Sequence, residues 1–182
     1  MPALEESILE ECLKYSGALY PIFVETGTFE GDTIFRMEPR FTELHTIEIS
    51  ENLYCSAKKK YNGDKIHFHL GDSSVVLGEL IGDLSSNTVF WLDGHWSGGI
   101  TGRGKKDCPL YEELEAIATL FKHKAIIIVD DFRLFETNVS EDWSDISLSG
   151  AVSRVKHRLL GGGTSPSPYA NQDRLLIFLK EL

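Results

Sequence analysis

The stretch Phe23-Val24-Glu25-Thr26-Gly27-Thr28-Phe29-Glu30-Gly31-Asp32-Thr33 limits the possible folds more than any other in the chain. It begins as an apolar strand, turns through two glycines four residues apart and ends as a helix start. Glycine suits a turn that needs positive φ or a backbone pressed closely by a ligand. The first N–H groups of a helix lack partners within the helix and face whatever lies over such a turn. Spacing narrows the ligand. The dinucleotide fingerprint G-x-G-x-x-G is not met, because Phe29 stands where the middle glycine belongs, and the Gly-Lys-Ser/Thr of a triphosphate loop is absent. An acid, Glu25, precedes the first glycine, and a carboxylate at a strand end suits a cationic ligand better than a pyrophosphate. The same residues also read as an ordinary turn between a strand and a helix.

The rest of the chain keeps alternating. Leu4, Ile8, Leu9, Cys12 and Leu13 fall at helical spacing and predict a helix from Ala3 to Tyr15, closed by Gly17. Strands are predicted at Ile22–Glu25, Leu44–Ile49, Lys65–Leu70, Val89–Leu92 and Ala125–Val129. The last two are continuous apolar runs, as central strands covered on both faces require. Helices are predicted at Asp32–Met37, stopped by Pro39, and at Asn52–Tyr61, ended by Asn62-Gly63. Two more run from Val75 to Leu84 and, opened by Pro109, from Leu110 to Phe121. Asp142 to Leu160 reads as helical, in two pieces around Gly150, and Gly161 to Pro166 as a flexible connector. Arg174–Leu179 reads as a last strand, antiparallel at the sheet edge. The pattern predicts an α/β fold: a doubly wound, mostly parallel sheet with an antiparallel C-terminal edge strand, in one domain over 1–182. The loop from Trp96 to Cys108 is long and glycine-rich for a compact domain, where such loops usually carry function.

Charge and cysteines exclude several classes. Against 18 Lys and Arg stand 28 Asp and Glu, a formal net charge of −10, which argues against a nucleic-acid partner because phosphates call for a basic face. Cys12, Cys55 and Cys108 are odd in number and fit neither a disulfide framework nor a zinc site, so reduced thiols are expected. Pro2 to Glu11 has no basic region of a leader, and no apolar run reaches the length of a membrane span. A cytoplasmic protein with no membrane partner is the expectation.

In an open parallel sheet, ligands bind at the C-terminal ends of the strands. Here those ends are Glu25, Glu48, Asp72, Asp93 and Asp130-Asp131. A core strand has no structural need for a terminal acid. Such a rim repels phosphate and suits a sulfonium, a ribose, an amine or a divalent cation. Glu48 stands where an acid accepts hydrogen bonds from a ribose diol, though it also suits the helix start at Ser50-Glu51. Asp93 with Asp130 and Asp131 offers hard oxygen ligands of the kind that hold Mg²⁺, Mn²⁺ or Ca²⁺. Asp130-Asp131 also suits capping the next segment. His95, two residues past Asp93, is a candidate base, and equally a brace for its loop. His67 and His69 share one strand face and read as packing or surface residues, since no acid or cysteine stands at ligand spacing beside them.

The Glu25-x-Gly27-x-x-x-Gly31 turn resembles motif I of the class I S-adenosylmethionine (SAM)-dependent methyltransferases, E/D-x-G-x-x-x-G. The resemblance runs from about Phe23 to Leu179. It implies a SAM site made by Glu25, Gly27, Thr28, Gly31, Glu48, Asp72 and Asp93, with the turn around the amino-acid part of the cofactor. Asp72 suits capping the next helix; within the resemblance an acid there would hold the adenine amino group, which would divide the two tasks between Asp72 and Ser73, and a side chain at Gly27 would fill the cofactor's space. The Asp93, Asp130, Asp131 set resembles the metal site of the metal-dependent O-methyltransferases, of the catechol type and of the macrolide and aminocoumarin sugar type. That implies Asp93 and His95 in catalysis and metal-assisted O-methylation of a small hydroxylated compound. The signatures of base or glutamine amino methylation and of base-carbon methylation are absent. The chain also lacks an obvious acceptor-binding insert, which leaves the acceptor and any homo-oligomer open. Two other readings remain: a protein of the same fold that binds SAM or a nucleoside without turnover, and a metal-dependent hydrolase. A nicotinamide enzyme is disfavoured by Phe29.

Overall fold

The structure, a computed structural model, describes residues 4–139, 141–160 and 169–182. Among them, seven strands form one sheet: β1 (Ile22–Thr26), β2 (Glu43–Glu48), β3 (Ile66–Leu70), β4 (Thr88–Leu92), β5 (Ala125–Val129), β6 (Tyr169–Asn171) and β7 (Arg174–Leu179). Their order is β3-β2-β1-β4-β5-β7-β6. β1 to β5 pair in parallel; β7 runs antiparallel to β5, and β6 to β7. The order reverses between β1 and β4, so a crevice opens at their C-terminal ends.

Alternation along each strand divides the core in two. Val24, Ile47, Phe90, Leu92, Ile127 and Val129 face α4 (Ser73–Leu80), α5 (Leu110–Leu120) and α6 (Leu148–Val155). Phe23, Leu44, Val89, Trp91, Ile126 and Ile128 face α1 (Glu6–Ser16) and α2 (Asp32–Met37). Every residue of β1, β4 and β5 is buried, as strands with helices on both faces demand. The remaining helix, α3 (Glu51–Lys60), follows β2.

The C-terminal part differs from expectation in two places. Helix covers only Leu148–Val155 and a short 3₁₀ turn, not Asp142 to Leu160, and Gly150 lies inside its first turn, where its N–H caps onto Ser147 Oγ at 3.0 Å. Trp143 and Ile146 sit three apart, as on a helix face, but they plug the core from an irregular segment. Backbone bonds from Trp143 N to Thr137 O (3.0 Å) and Glu136 N to Ile146 O (2.9 Å) hold that segment. β7 is antiparallel as expected, yet β6 covers its outer side. Gln172 and Asp173, both at positive φ, make the tight turn between the two. The connector Gly161 to Pro166 lies outside the described residues.

Candidate functional site

The turn after β1 is built around close backbone contacts. Gly27 has φ +83° and donates its N–H to Ile47 O at 2.9 Å. A Cβ there would stand 2.3 Å from the carbonyl oxygen of Asp93. Glycine at 27 is thus required by the end of β4, whether or not a cofactor is bound. Gly31, at φ +89°, is the residue before α2. Phe29, at φ +49°, donates its N–H to Glu48 Oε2 at 2.8 Å, and Ser50 N donates to Glu48 Oε1 at 2.8 Å. One carboxylate therefore ties the loops after β1 and β2 together.

Above this turn lies a cavity of about 260 Å³. Gly27, Glu48, Asp72 and Asp93 are in its walls. Its roof is the loop after β4: Trp96, Thr101, Gly102, Gly104, Lys105 and Lys106 all line it. The roof sits tightly. A Cβ on Gly102 would be 2.2 Å from Ile49 Cγ2, and one on Gly104 would be 2.7 Å from Asp72 Oδ2. Arg103 stacks over Trp96 at 4.4 Å and pairs with Asp107 at 2.6 Å, and Lys106 pairs with Glu112.

Not every anticipated residue reaches the cavity. Glu25 is buried beneath it, accepting from Thr46 Oγ1 at 2.7 Å, and burial pushes its carboxyl well above the usual range. Thr28 hydrogen-bonds Thr46 at 2.5 Å, and neither Thr28 nor Gly31 lines the cavity. Of the two cap candidates, Asp72 is the one used: its Oδ1 accepts from Ser74 N at 3.0 Å and Ser74 Oγ at 2.6 Å. Its other oxygen, on the Gly104 side, is left for the cavity.

At one end of the cavity, Asp93, His95 and Asp131 converge, with one ligand-type atom from each within 4.8 Å of the others. His95 Nε2 lies 2.9 Å from Asp131 Oδ2 and 3.3 Å from Asp93 Oδ1, and His95 Nδ1 lies 2.7 Å from Glu141 Oε2. Both ring nitrogens and Asp93 Oδ1 are nevertheless buried without an aligned hydrogen bond. Burial alone would discharge His95, but the carboxylates of Asp131, Asp93 and Glu141 push it up to about 12. Burial raises Asp93; at Asp131 burial works the same way, but His95 and Arg133 outweigh it and hold the carboxyl low.

Asp130 does not join this group. Its N–H continues the ladder to Leu92 O at 3.1 Å, whereas Asp131 turns at φ +56°, so the two consecutive carboxylates diverge. Asp130 pairs with Arg174 at 2.9 Å, and burial followed by the Asp93 charge lifts it to about 7. Two contributors had not been singled out. Arg174, a charge opening an otherwise apolar strand, was a visible signal; Glu141, in an irregular segment, left none.

No protein-family model matches the sequence, and no curated protein matches it. The fold is the Rossmann-like methyltransferase fold. Among solved structures, the chain is similar to the N-methyltransferase NodS from Bradyrhizobium japonicum at 12% identity, over 97% of this chain and 93% of that one, with TM-score 0.57. It is similar to a candidate methyltransferase from Streptococcus mutans in complex with S-adenosylhomocysteine (SAH) at 11% identity, over 100% of both chains, with TM-score 0.57. A candidate rRNA methylase from Clostridium thermocellum matches at 11% identity over 100% of both chains, with TM-score 0.58. No helix among the described residues is long and apolar enough to cross a membrane.

Proposed function

We propose that the chain is a SAM-dependent methyltransferase that uses a divalent metal to assist O-methylation of a small hydroxylated compound. One observation carries the reading: Asp93 and His95 belong both to the wall of the cavity and to the Asp93, His95, Asp131 cluster, so a donor and an ion would sit side by side. SAM suits the cavity. Glu48 keeps lone pairs free beyond its two backbone donors, enough to accept from a ribose diol. Asp72 Oδ2 faces inward for an adenine amine, and the roof would shield a bound cofactor from water. Bound there, SAM would supply an electrophilic methyl group on a sulfonium, a cation that the acidic strand ends favour.

The cluster suits a metal for a physical reason. Its buried nitrogens and oxygens crowd together without meeting as hydrogen bonds, which is costly unless a cation stands between them. Asp93, His95 and Asp131 would hold the ion, and Glu141 behind His95 Nδ1 would fix the ring. The expected set of Asp93, Asp130 and Asp131 thus becomes Asp93, His95 and Asp131, while Asp130 serves Arg174. One imidazole among the donors moves the preference from Ca²⁺ toward Mn²⁺, with Mg²⁺ next. The ion would supply Lewis acidity that lowers the pKa of an acceptor hydroxyl. Without an ion the acids around His95 hold it protonated, so it is no free base, and it would have to release that proton to serve as a ligand.

The roof over the cavity favours a second reading, a SAM or nucleoside binder without turnover. Methyl-labelled SAM incubated with a panel of hydroxylated compounds, with Mg²⁺, Mn²⁺ or chelator, separates the two. Transfer that needs the ion and is lost in Asp131→Asn supports the proposal. Transfer indifferent to chelator removes the metal from it, and SAM binding with no transfer on any compound favours the binder.

A further inference from the structure

Away from the cavity, β2 and β3 bring three histidines to one face of the sheet. His45 is in register with His67, and His69 lies two residues on, so strand alternation sends all three rings to the side that also carries Ile47. The ring of His45 lies 5.0 Å from that of His67 and 5.3 Å from that of His69, centre to centre. His45 Nδ1 and His69 Nε2 are 3.0 Å apart. The other nitrogen of His45 lies 2.9 Å from Glu43 Oε1. A carboxylate only accepts, so Nε2 of a neutral His45 carries the hydrogen and Nδ1 turns its lone pair toward His69.

We propose that His45, His67 and His69 form a binding site for a divalent transition-metal ion of the zinc, nickel or copper class. His45 Nδ1 and His69 Nε2 make the bite. Two nitrogens bound to one such ion stand roughly 2.8–3.4 Å apart, given bonds of about 2.0–2.1 Å and angles between octahedral and tetrahedral. The pair is already at that spacing. His67 is exposed and stacked beside His45, so rotation about its side-chain bonds brings in a third nitrogen, and the same exposure gives the ion its path from solvent. Glu43 is the acid behind a ligating histidine that fixes its tautomer and raises its basicity. Burial, and then the neighbouring rings, keep His69 down at about 4, and burial lowers His45 as well, so neither ring takes a second proton near neutrality; His69 Nε2, the donor to His45 Nδ1 in the free protein, has only to pass its hydrogen to its own Nδ1 to become a ligand. Imidazole ligands alone select this class of ion over Mg²⁺ or Ca²⁺, which sets the site apart from the Asp93 cluster. An ion here would clamp the edge strand β3 to β2, the strand that ends in Glu48.

The test uses the full chain carrying Asp131→Asn, which weakens the other cluster with a residue that tolerates the left-handed backbone of position 131. Zn²⁺ alone is titrated by calorimetry, and Co²⁺ alone is followed by its visible absorption. One bound equivalent is expected, weakened by about tenfold or more when His69→Ala or His67→Gln is added. His67→Gln changes an exposed position, so it still reports if His69→Ala folds poorly. Absence of Zn²⁺ binding in the Asp131→Asn chain overturns the proposal. So does an affinity that neither histidine substitution changes.

Discussion

Glu48→Gln is expected to weaken SAH binding by about 10- to 100-fold and to lower stability by about 1–3 kcal/mol. Both figures come from the same carboxylate. Glu48 accepts Phe29 N–H on one oxygen and Ser50 N–H on the other, each at 2.8 Å. Glutamine offers one oxygen, and its NH₂ would face the remaining backbone donor. A buried donor stripped of its acceptor costs about 1–3 kcal/mol. The lone pairs left over are those that the proposed ribose contact would use. Charge-assisted bonds contribute about 1.5–3 kcal/mol, and each 1.4 kcal/mol is about a factor of ten in affinity. Calorimetric titration of SAH, paired with urea unfolding of the free chain, reads the two effects apart. A variant that loses stability but binds SAH within about twofold of wild type would refute the ribose role, leaving Glu48 as a tie between two loops.

Four further substitutions have expected outcomes. Asp131→Asn is expected to abolish Mn²⁺ binding while sparing SAH affinity. Asp130→Asn spares Mn²⁺ but strands the buried Arg174, at about 3–5 kcal/mol of stability in urea unfolding. Gly27→Ala puts a methyl group 2.3 Å from a backbone oxygen at φ +83°, and the unfolding midpoint should show a loss of about 1–3 kcal/mol even without ligand. Glu113, buried in the first turn of α5, is pushed up to about 7 by burial, with the Ser73 and Thr26 hydroxyls pulling it back. Its folded pKa exceeds its unfolded one, so the native state holds the proton longer. Its contribution is full below the unfolded value and declines as pH rises toward about 7. Glu113→Gln should flatten stability against pH across that window by about 3 kcal/mol, measured by urea unfolding.

Much of the framework was legible because it rests on local patterns. Val89-Phe90-Trp91-Leu92 and Ala125-Ile126-Ile127-Ile128-Val129 announce covered strands by being apolar throughout, and both are buried from end to end. The acids that close the strands mark the rim, and Glu48, Asp72 and Asp93 do line the cavity. What stayed hidden depends on direction and on distant partners. Neighbouring letters cannot tell that Asp131 turns left-handed while Asp130 continues the strand toward Arg174. Trp143 and Ile146 imitate a helix face from an irregular segment, because burial of the ring needs only one anchor and not a period. The histidines at 67 and 69 look isolated until the register of β2 against β3 sets His45 and Glu43 beside them.

The claim beneath the functional reading is that the cavity under the Trp96 to Lys106 roof receives SAM. A crystal structure of the chain grown with saturating SAH tests it most directly. The account predicts SAH under that roof, its ribose hydroxyls on Glu48 and its adenine amine toward Asp72 Oδ2. A cavity without SAH at saturation, or SAH seated elsewhere on the chain, would contradict it.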